Sequence, residues 1–443
     1  MTCKKITIGF ALFVMVQFWA NLYCNDIHLN LTASSADREI QSRRKFIFVK
    51  DFEISNHLEI FDHGVDKAKK VKSIIISDLQ LEPSFKVENS SRIINNTDYN
   101  SWALKNVDYS IDGKFDNKTN ILKIKLLYVP NKEKMFEKNF TLSDDNLKLV
   151  AHKITDEILF VINGNKGMNS TNIVFTYALK GSSKSSKNNV KEIYTIAFDG
   201  NDLTQITDNK SISILPTWNP RKRQVLYTTY KSGNPDLFLY DFEFKKTTVL
   251  ADKQGLNMGA QYSPKGDEIA MARTVDGNLE IVLIDSDGKQ LRRITQNKFI
   301  DFSPTWGNDS KNLAFISDRT GNTQIYVCNL ESREIYPLTF DANLKDSLDW
   351  SPAKDELVFS SLADNVWDIY IIDFKTKQIQ KLTENVGNNE DPSWSPDGQY
   401  VCFTSTRNGN KELFVMKKDG TNQRRVFAGN GTVYSPRWEP IYE

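Results

Sequence analysis

The sequence predicts an α+β N-terminal domain followed by an all-β, six-bladed β-propeller closed by its own C-terminal strand. Three observations carry this expectation. An aromatic marker followed by a Ser-Pro or related turn recurs at Trp218, Tyr262, Trp306, Trp350, Trp394 and Trp438, with 44 residues between successive markers. Each repeat holds short apolar runs separated by turn residues, and the two ends of the array are broken in complementary ways. A repeat length in the low forties is that of one four-stranded propeller blade.

Taken in chain order, Lys4 and Lys5 precede the apolar run Ile8 to Ala20, the pattern of a Sec signal peptide over residues 1–24, cleaved near 20–24. Residues 25–44 read as a polar arm that opens with Ile27-His28-Leu29-Asn30-Leu31, alternating with period two. This pentapeptide suits either an edge strand of its own domain or a free arm that pairs with a partner's sheet. The α+β domain is expected over 45–164: a strand at Lys45–Val49, a helix over Val65–Leu81, a short strand at Phe85 and a short helix around Trp102. Strands follow at Tyr109–Phe115, Ile121–Tyr128 and Met135–Leu142, and then a helix capped by Ser143, with Leu147, Val150, Ile154, Ile158 and Val161 on its apolar face. Gly164-Asn165-Lys166-Gly167 marks the boundary to a propeller over 168–443.

Within each blade the aromatic marker ends the innermost strand and the Ser-Pro-Asp-Gly type of turn reverses the chain. The next strand starts seven residues later, as in Val225-Leu-Tyr and Val401-Cys-Phe. Only five residues follow Trp438, which supplies an inner strand alone, while Ile173, Glu192 and Leu203 begin three strands that lack an inner partner. The last strand therefore completes the first blade, and the ring closes at six without exposed edges. The Trp markers are expected to pack between blades, and Cys328 and Cys402 to be buried free thiols.

Composition and motifs restrict the function. Lys plus Arg (57) nearly balances Asp plus Glu (56), which removes the basic footprint of a nucleic-acid binder. The four histidines are His28, His57, His63 and His152, so none lies in the propeller. His152 is expected at the edge of the last helix as a packing or capping residue. No Gly-x-Ser-x-Gly elbow, phosphate loop or HExxH zinc motif occurs, and no catalytic residue, metal or cofactor is expected. Because the chain alternates direction along each blade, the loops entering the inner strands share one face with the loops joining strands two and three. That mouth is the expected partner-binding surface, with Asn257, Met258, Gly259, Ala260, Phe302, Ser303, Asn389 and Glu390 as candidates. Arg319 and Arg407 recur at equivalent places and are expected to bond a neighbouring blade.

The chain resembles the TolB family, the periplasmic propeller component of the Tol-Pal system of Gram-negative bacteria. The resemblance rests on Ala151-His-Lys-Ile-Thr-Asp-Glu-Ile158, the Trp102 segment and the Trp-Ser-Pro-Asp-Gly units followed by Ser-x-Arg-x-Gly. It implies a non-enzymatic periplasmic protein that supports outer-membrane integrity and constriction at division; the chain is expected to be monomeric. By the same resemblance the propeller would bind a Pal-like peptidoglycan-associated lipoprotein, with Asn257–Ala260 and Phe302 at the contact. The arm, through Ile27, Leu29 and Leu31, would engage a TolA-like protein. Departures from the family pattern are Glu82-Pro83 before Phe85, the third repeat without its Pro, and an enlarged loop over Lys180–Lys187. Two other readings of the mouth stay open: a hydrolase or lyase using its Asp, Glu and Arg residues, or a scaffold sensing a glycan or another peptide.

Overall fold

The structure, a computed structural model, describes residues 44–55, 63–89, 105–164, 166–179 and 190–442. The arm with Ile27, Leu29 and Leu31, the Trp102 helix and the Lys180–Lys187 loop lie outside the described residues. Contacts divide the described chain into two compact units. One takes the residues up to Ala68 together with Leu79–Phe140, and the other takes Lys69–Asp78 and everything from Thr141 onward.

The first unit is a six-stranded mixed sheet. Strands β1 (Lys45–Val49), β2 (Glu53–Ser55), β3 (Phe85–Asn89), β4 (Tyr109–Asp116), β5 (Ile121–Tyr128) and β6 (Glu133–Thr141) take the order β3-β1-β4-β5-β6, with β2 on β4. β1 pairs in parallel with both β3 and β4, which requires long connections, and α1 (His63–Gln80) lies in the first of them. The central strand β1 is apolar on both faces, and Phe46, Phe48, Val107 and Val129 form one buried cluster. The buried apolar residues of α1 are Ala68, Val71, Ile75 and Leu79, the three-and-four spacing that the sequence shows, and Asp78 is buried beside them.

In the second unit, α2 (Leu147–Asn163) leads into the propeller. Asn146, not Ser143, occupies the cap position, and the Ser143 N–H donates to the Asn146 side chain at 2.7 Å. The buried face also runs through Ala151, His152, Thr155 and Leu159 rather than Val150 and Val161, because polar His152 and Thr155 have internal partners and can be covered. Gly164 ends the helix at φ 76° and returns its N–H to the Phe160 carbonyl. Asp156 on the same helix accepts the backbone N–H groups of Asn169 and Ser170, at 2.8 and 3.0 Å. A Cβ at Gly167 would sit 2.2 Å from that carboxylate, so only glycine lets the chain pass there.

Six four-stranded antiparallel sheets follow, one per 44-residue repeat. Their inner strands are Ser213–Trp218, Asn257–Tyr262, Asp301–Trp306, Leu344–Trp350, Asn389–Trp394 and Thr432–Trp438, here called blades one to six. The marker side chains are buried between neighbouring blades: Trp350 packs with Ala314 and Val327 of blade three and with Leu357 and Phe359 of its own. Where the third repeat lacks its Pro, the Asp309 carboxylate accepts the N–H groups of Lys311 and Asn312 and holds the turn instead. Cys328 and Cys402 are free and buried.

Blade six is completed as expected. Thr432–Trp438 pairs antiparallel with Asn172–Ala178, which pairs in turn with Glu192–Ala197, and that strand with Thr204–Gln205 at the outer edge. Beyond the ladder, the Trp438 indole N–H donates to Thr171 Oγ1 at 2.8 Å, and buried Glu439 accepts the Asn172 N–H at 2.9 Å and Arg223 Nε at 3.0 Å. Removing residues 437–443 takes Trp438 out of the core, a loss of about 3–5 kcal/mol for a buried Trp. At roughly 2–4 °C per kcal/mol for a domain of this size, the melting midpoint is expected to fall by about 6–20 °C. A truncated chain that melts cooperatively at the full-length temperature would show that closure lies elsewhere.

Candidate functional site

Each inner strand carries a bulge three residues before its marker. Leu215, Gly259, Ser303, Ser347, Asp391 and Ser435 all have φ between 46 and 62°, and the pairing register shifts at each of them. Five of these six are not glycine, so the ring of strained residues is held by the ladders on either side. The bulge breaks the alternation of the strand where it begins. The half-buried residues Ile214, Met258, Phe302, Asp346, Glu390 and Tyr434 thus come to stand at the axial mouth.

The mouth is chemically divided. Blades one to three contribute Ile214, Leu215, Met258 and Phe302, the last two packed against the inter-blade cores. Blades four and five contribute Asp346, Glu390 and Asp391, and blade six contributes Tyr434. Lys411, at the start of the third strand of blade five (Asn410–Lys417), bridges Glu390 and Asp391 at 3.1 Å each. Its ammonium also lies 5.1 Å from the Tyr434 ring, which Lys191 covers at 4.2 Å. Burial pulls the Lys411 amine down, but the two carboxylates raise it overall. Burial pushes the Asp391 carboxyl up, and the Lys411 charge with several hydrogen bonds holds it below its ordinary value. Asp346 has no cation within ion-pair distance among the described residues. Burial, and then the neighbouring Asp391 charge, push its carboxyl up to about 6.

Several residues expected at the mouth are part of the scaffold instead. Asn257 is fully buried, donating to the carbonyls of Pro235 and Lys253 and accepting from Arg273 Nε at 3.1 Å. Asn389 is fully buried against Asp368 and the Gly387 carbonyl, and Ala260 lies in the core between blades one and two. The side chains of these three are closed to a partner, whereas Met258, Gly259, Phe302, Ser303 and Glu390 are partly exposed. Arg319 and Arg407 bond their own blades, not neighbours: Arg319 reaches Asp301 and Ser317, and Arg407 reaches Asn389 and Ser405. Each guanidinium also lies over an aromatic ring of the same blade, Tyr326 or Phe414, at about 4.5 Å. Exposed Ile300, Phe340, Leu344 and Val366 stand in loops or strand ends of this same face.

His152 is buried rather than at the helix edge. Its Nδ1 lies 2.8 Å from Asp78 Oδ2, and that oxygen also accepts Thr155 Oγ1 at 3.0 Å. Burial lowers the imidazole, but Asp78, with Asp199 and Asp156, raises it overall. Among the described residues, Asp78, His152 and Asp199 are the one group spaced as metal ligands could be. Asp78 Oδ2 is taken up by hydrogen bonds that link α1 and α2, while its buried Oδ1 has no hydrogen-bond partner among the described residues.

The raised carboxyl of Asp346 has a consequence for stability. A carboxylate with a folded value near 6 and an unfolded one near 3.8 contributes stability that is complete below about 3.8 and lost as pH rises through 6. Asp346→Asn is therefore expected to stabilise the propeller at pH 7 by about 1 kcal/mol, discounted for partial exposure, and to leave it unchanged near pH 3.5. Equal midpoint shifts at both pH values in thermal melts would contradict this.

Comparison with known proteins agrees with the fold. A solved TolB structure from Acinetobacter baumannii superposes with a TM-score of 0.78 at 20% identity, covering 90% of this chain and 98% of that one. The chain is 27% identical over 185 residues to the Tol-Pal system protein TolB of Orientia tsutsugamushi, 39% of each chain. It is 32% identical over 103 residues to a TolB homolog of Chlorobium luteolum, 23% of this chain and 22% of that protein. The matched segments thus span well under half the length of these two curated relatives. The model of the TolB β-propeller domain matches residues 161–361 and 345–441, and on that match the chain belongs to the TolB β-propeller family.

Proposed function

We propose that this chain is a non-enzymatic component of a Tol-Pal envelope complex whose propeller mouth docks a Pal-like peptidoglycan-associated lipoprotein. The observation that carries the reading is the divided mouth. An apolar half formed by Met258, Phe302, Ile214 and Leu215 faces an ionic half formed by Asp346, Glu390, Asp391 and Lys411. A partner segment with an apolar side chain beside polar or charged groups satisfies both halves; exposed Ile300 widens the apolar side, and exposed Phe340 and Leu344 stand where blade three gives way to blade four. Family membership supports the system; the mouth supports the place. In the same reading Ile27, Leu29 and Leu31 pair with a TolA-like protein, and the chain works in the periplasm after Sec export. No helix among the described residues is long and apolar enough to cross a membrane.

Hydrolase or lyase chemistry at the mouth is less well supported. The only unpaired carboxylate there among the described residues is Asp346, and the other two are committed to Lys411. The family relationship points to a binding role as well.

Gly259 offers a clean test. Nothing lies within 4 Å of a Cβ placed on it, and Asp391 occupies the equivalent bulge at φ 55°. Gly259→Asp therefore sets a charge in the apolar half without a steric clash, at a backbone cost of about 1–2 kcal/mol that Asp391 already bears at its own bulge, and Phe302→Asp does so more severely. Calorimetric titration with the soluble domain of the host's Pal is expected to show saturable binding, weakened about tenfold or more by either change. Binding that both variants leave unchanged would move the site away from the mouth.

A further inference from the structure

On the face opposite the mouth, the inner strands end around a second cavity of about 330 Å³. Its wall is made of the aromatic markers and the turn prolines, among them Pro220, Pro264, Pro352, Pro396 and Pro440. The residue before each marker also lines it: Thr217, Gln261, Thr305, Asp349, Ser393 and Arg437.

Most of this polar ring is engaged with itself. Asp349 accepts Gln261 Nε2 at 3.1 Å, Ser393 Oγ at 2.9 Å and the Trp394 N–H at 2.9 Å. Gln261 stands two blades from Asp349, so that bond spans blade three. Arg437 differs. Its Nη1 donates to the carbonyls of Pro392, at 3.1 Å, and Pro436, at 3.3 Å. Its Nε and Nη2 have no hydrogen-bond partner among the described residues, and no carboxylate lies within ion-pair distance of it. Those two nitrogens form the edge of the guanidinium whose parallel N–H groups match the two oxygens of a carboxylate. The anchored Nη1 holds that edge in place. Two further donors lack acceptors, the buried indole N–H groups of Trp350 and Trp394, whereas Trp218 and Trp306 donate to carbonyls of Arg437 and Gln261.

We propose that this cavity binds a carboxylate, held side-on by Arg437 Nε and Nη2, with the rest of the ligand packed on the proline rings and indole edges. A volume near the lower end of the usual ~300–1,000 Å³ range suits a small organic carboxylate or the C-terminal end of a peptide. Asp349 disfavours a dianion such as phosphate, because its charge lines the same small cavity. The site is distinct from the partner surface at the mouth, being on the other face.

The full chain is titrated with benzoate and with N-acetyl-dialanine bearing a free C-terminus, and each is compared with its uncharged amide, by calorimetry and tryptophan fluorescence. Saturable binding of a carboxylate but not of its amide is expected; benzoate alone identifies a small-molecule site, and the dipeptide alone a chain-end site. Arg437→Gln is expected to weaken binding about tenfold or more, and Arg437→Lys to restore little of it, since a lysine lacks the paired donors. Asp349→Asn, which removes the neighbouring negative charge, is expected to tighten carboxylate binding, and it tests the site even if the Arg437 variants fold poorly. Absence of binding to both carboxylates by the folded wild-type chain overturns the proposal. So does equal binding of acids and amides, or tightening in none of the folded variants together with no loss in Arg437→Gln.

Discussion

The propeller depends on one pairing, that of Thr432–Trp438 with Asn172–Ala178, which joins parts of the chain more than 250 residues apart in sequence. Every other ladder in the ring is local, formed by neighbours within a repeat. Without the long-range pair, the sheet beginning at Asn172 would present an open inner edge and the Trp438 slot would be empty. The chain secures this one contact beyond the ladder. Glu439, buried and raised above its ordinary value chiefly by that burial, is held by Asn172 and Arg223 and ties the last strand to blade one as well as to its own sheet. Closing the loop costs entropy once, and the packing of six blades returns it.

Closure gives the axis its geometry, and the repeated bulge gives the axis its chemistry. Because each inner strand bends at the same place, the same sequence column reaches the mouth in all six blades. Evolution of the surface then needs only single substitutions in that column, with the ladders behind them undisturbed. The apolar residues of blades one to three and the acids of blades four and five are alternatives at equivalent positions on one scaffold. The column just before each marker likewise sets the character of the opposite cavity, where blade six has arginine and blade four aspartate. Buried polar residues next to these columns, such as Arg273 with Asn257 and Arg319 with Asp301, fix the strand entries that both openings share.

Ring size, blade register and the closing strand were legible from the sequence, because a 44-residue period repeated six times leaves few other packings. Most strands of the first unit were legible too, β1, β4 and β5 from apolar runs long enough to set period and face, whereas the three-residue strand Glu53–Ser55 is too short and polar to announce itself. The cap of α2 was not: Asn146 and Ser143 are equally good cap residues by type, and the turn before the helix decides between them. Asn257, Ala260 and Asn389 could not be told from their exposed neighbours because the bulge shifts the alternation by one, and no residue type announces it when serine, leucine or aspartate adopts positive φ. Lys411 was missed although a signal existed. The residues 44 and 88 before it are Trp367 and Thr323, so a lysine there stands out once the repeats are aligned column by column. The Asp78–His152 pair joins two helices distant in sequence, and nothing local to either helix marks it.

The central claim is that partner recognition belongs to the face where the inner strands begin. Hydrogen exchange on the free chain and on its complex with the soluble domain of the host's Pal tests that claim directly. Protection confined to the segments around 256–260, 299–303, 340–347 and 388–391 and the loop at 406–411 is the result this account predicts. Protection of the Ser-Pro turns at 219–222, 263–266 and 395–398, with the opposite face unchanged, would contradict it.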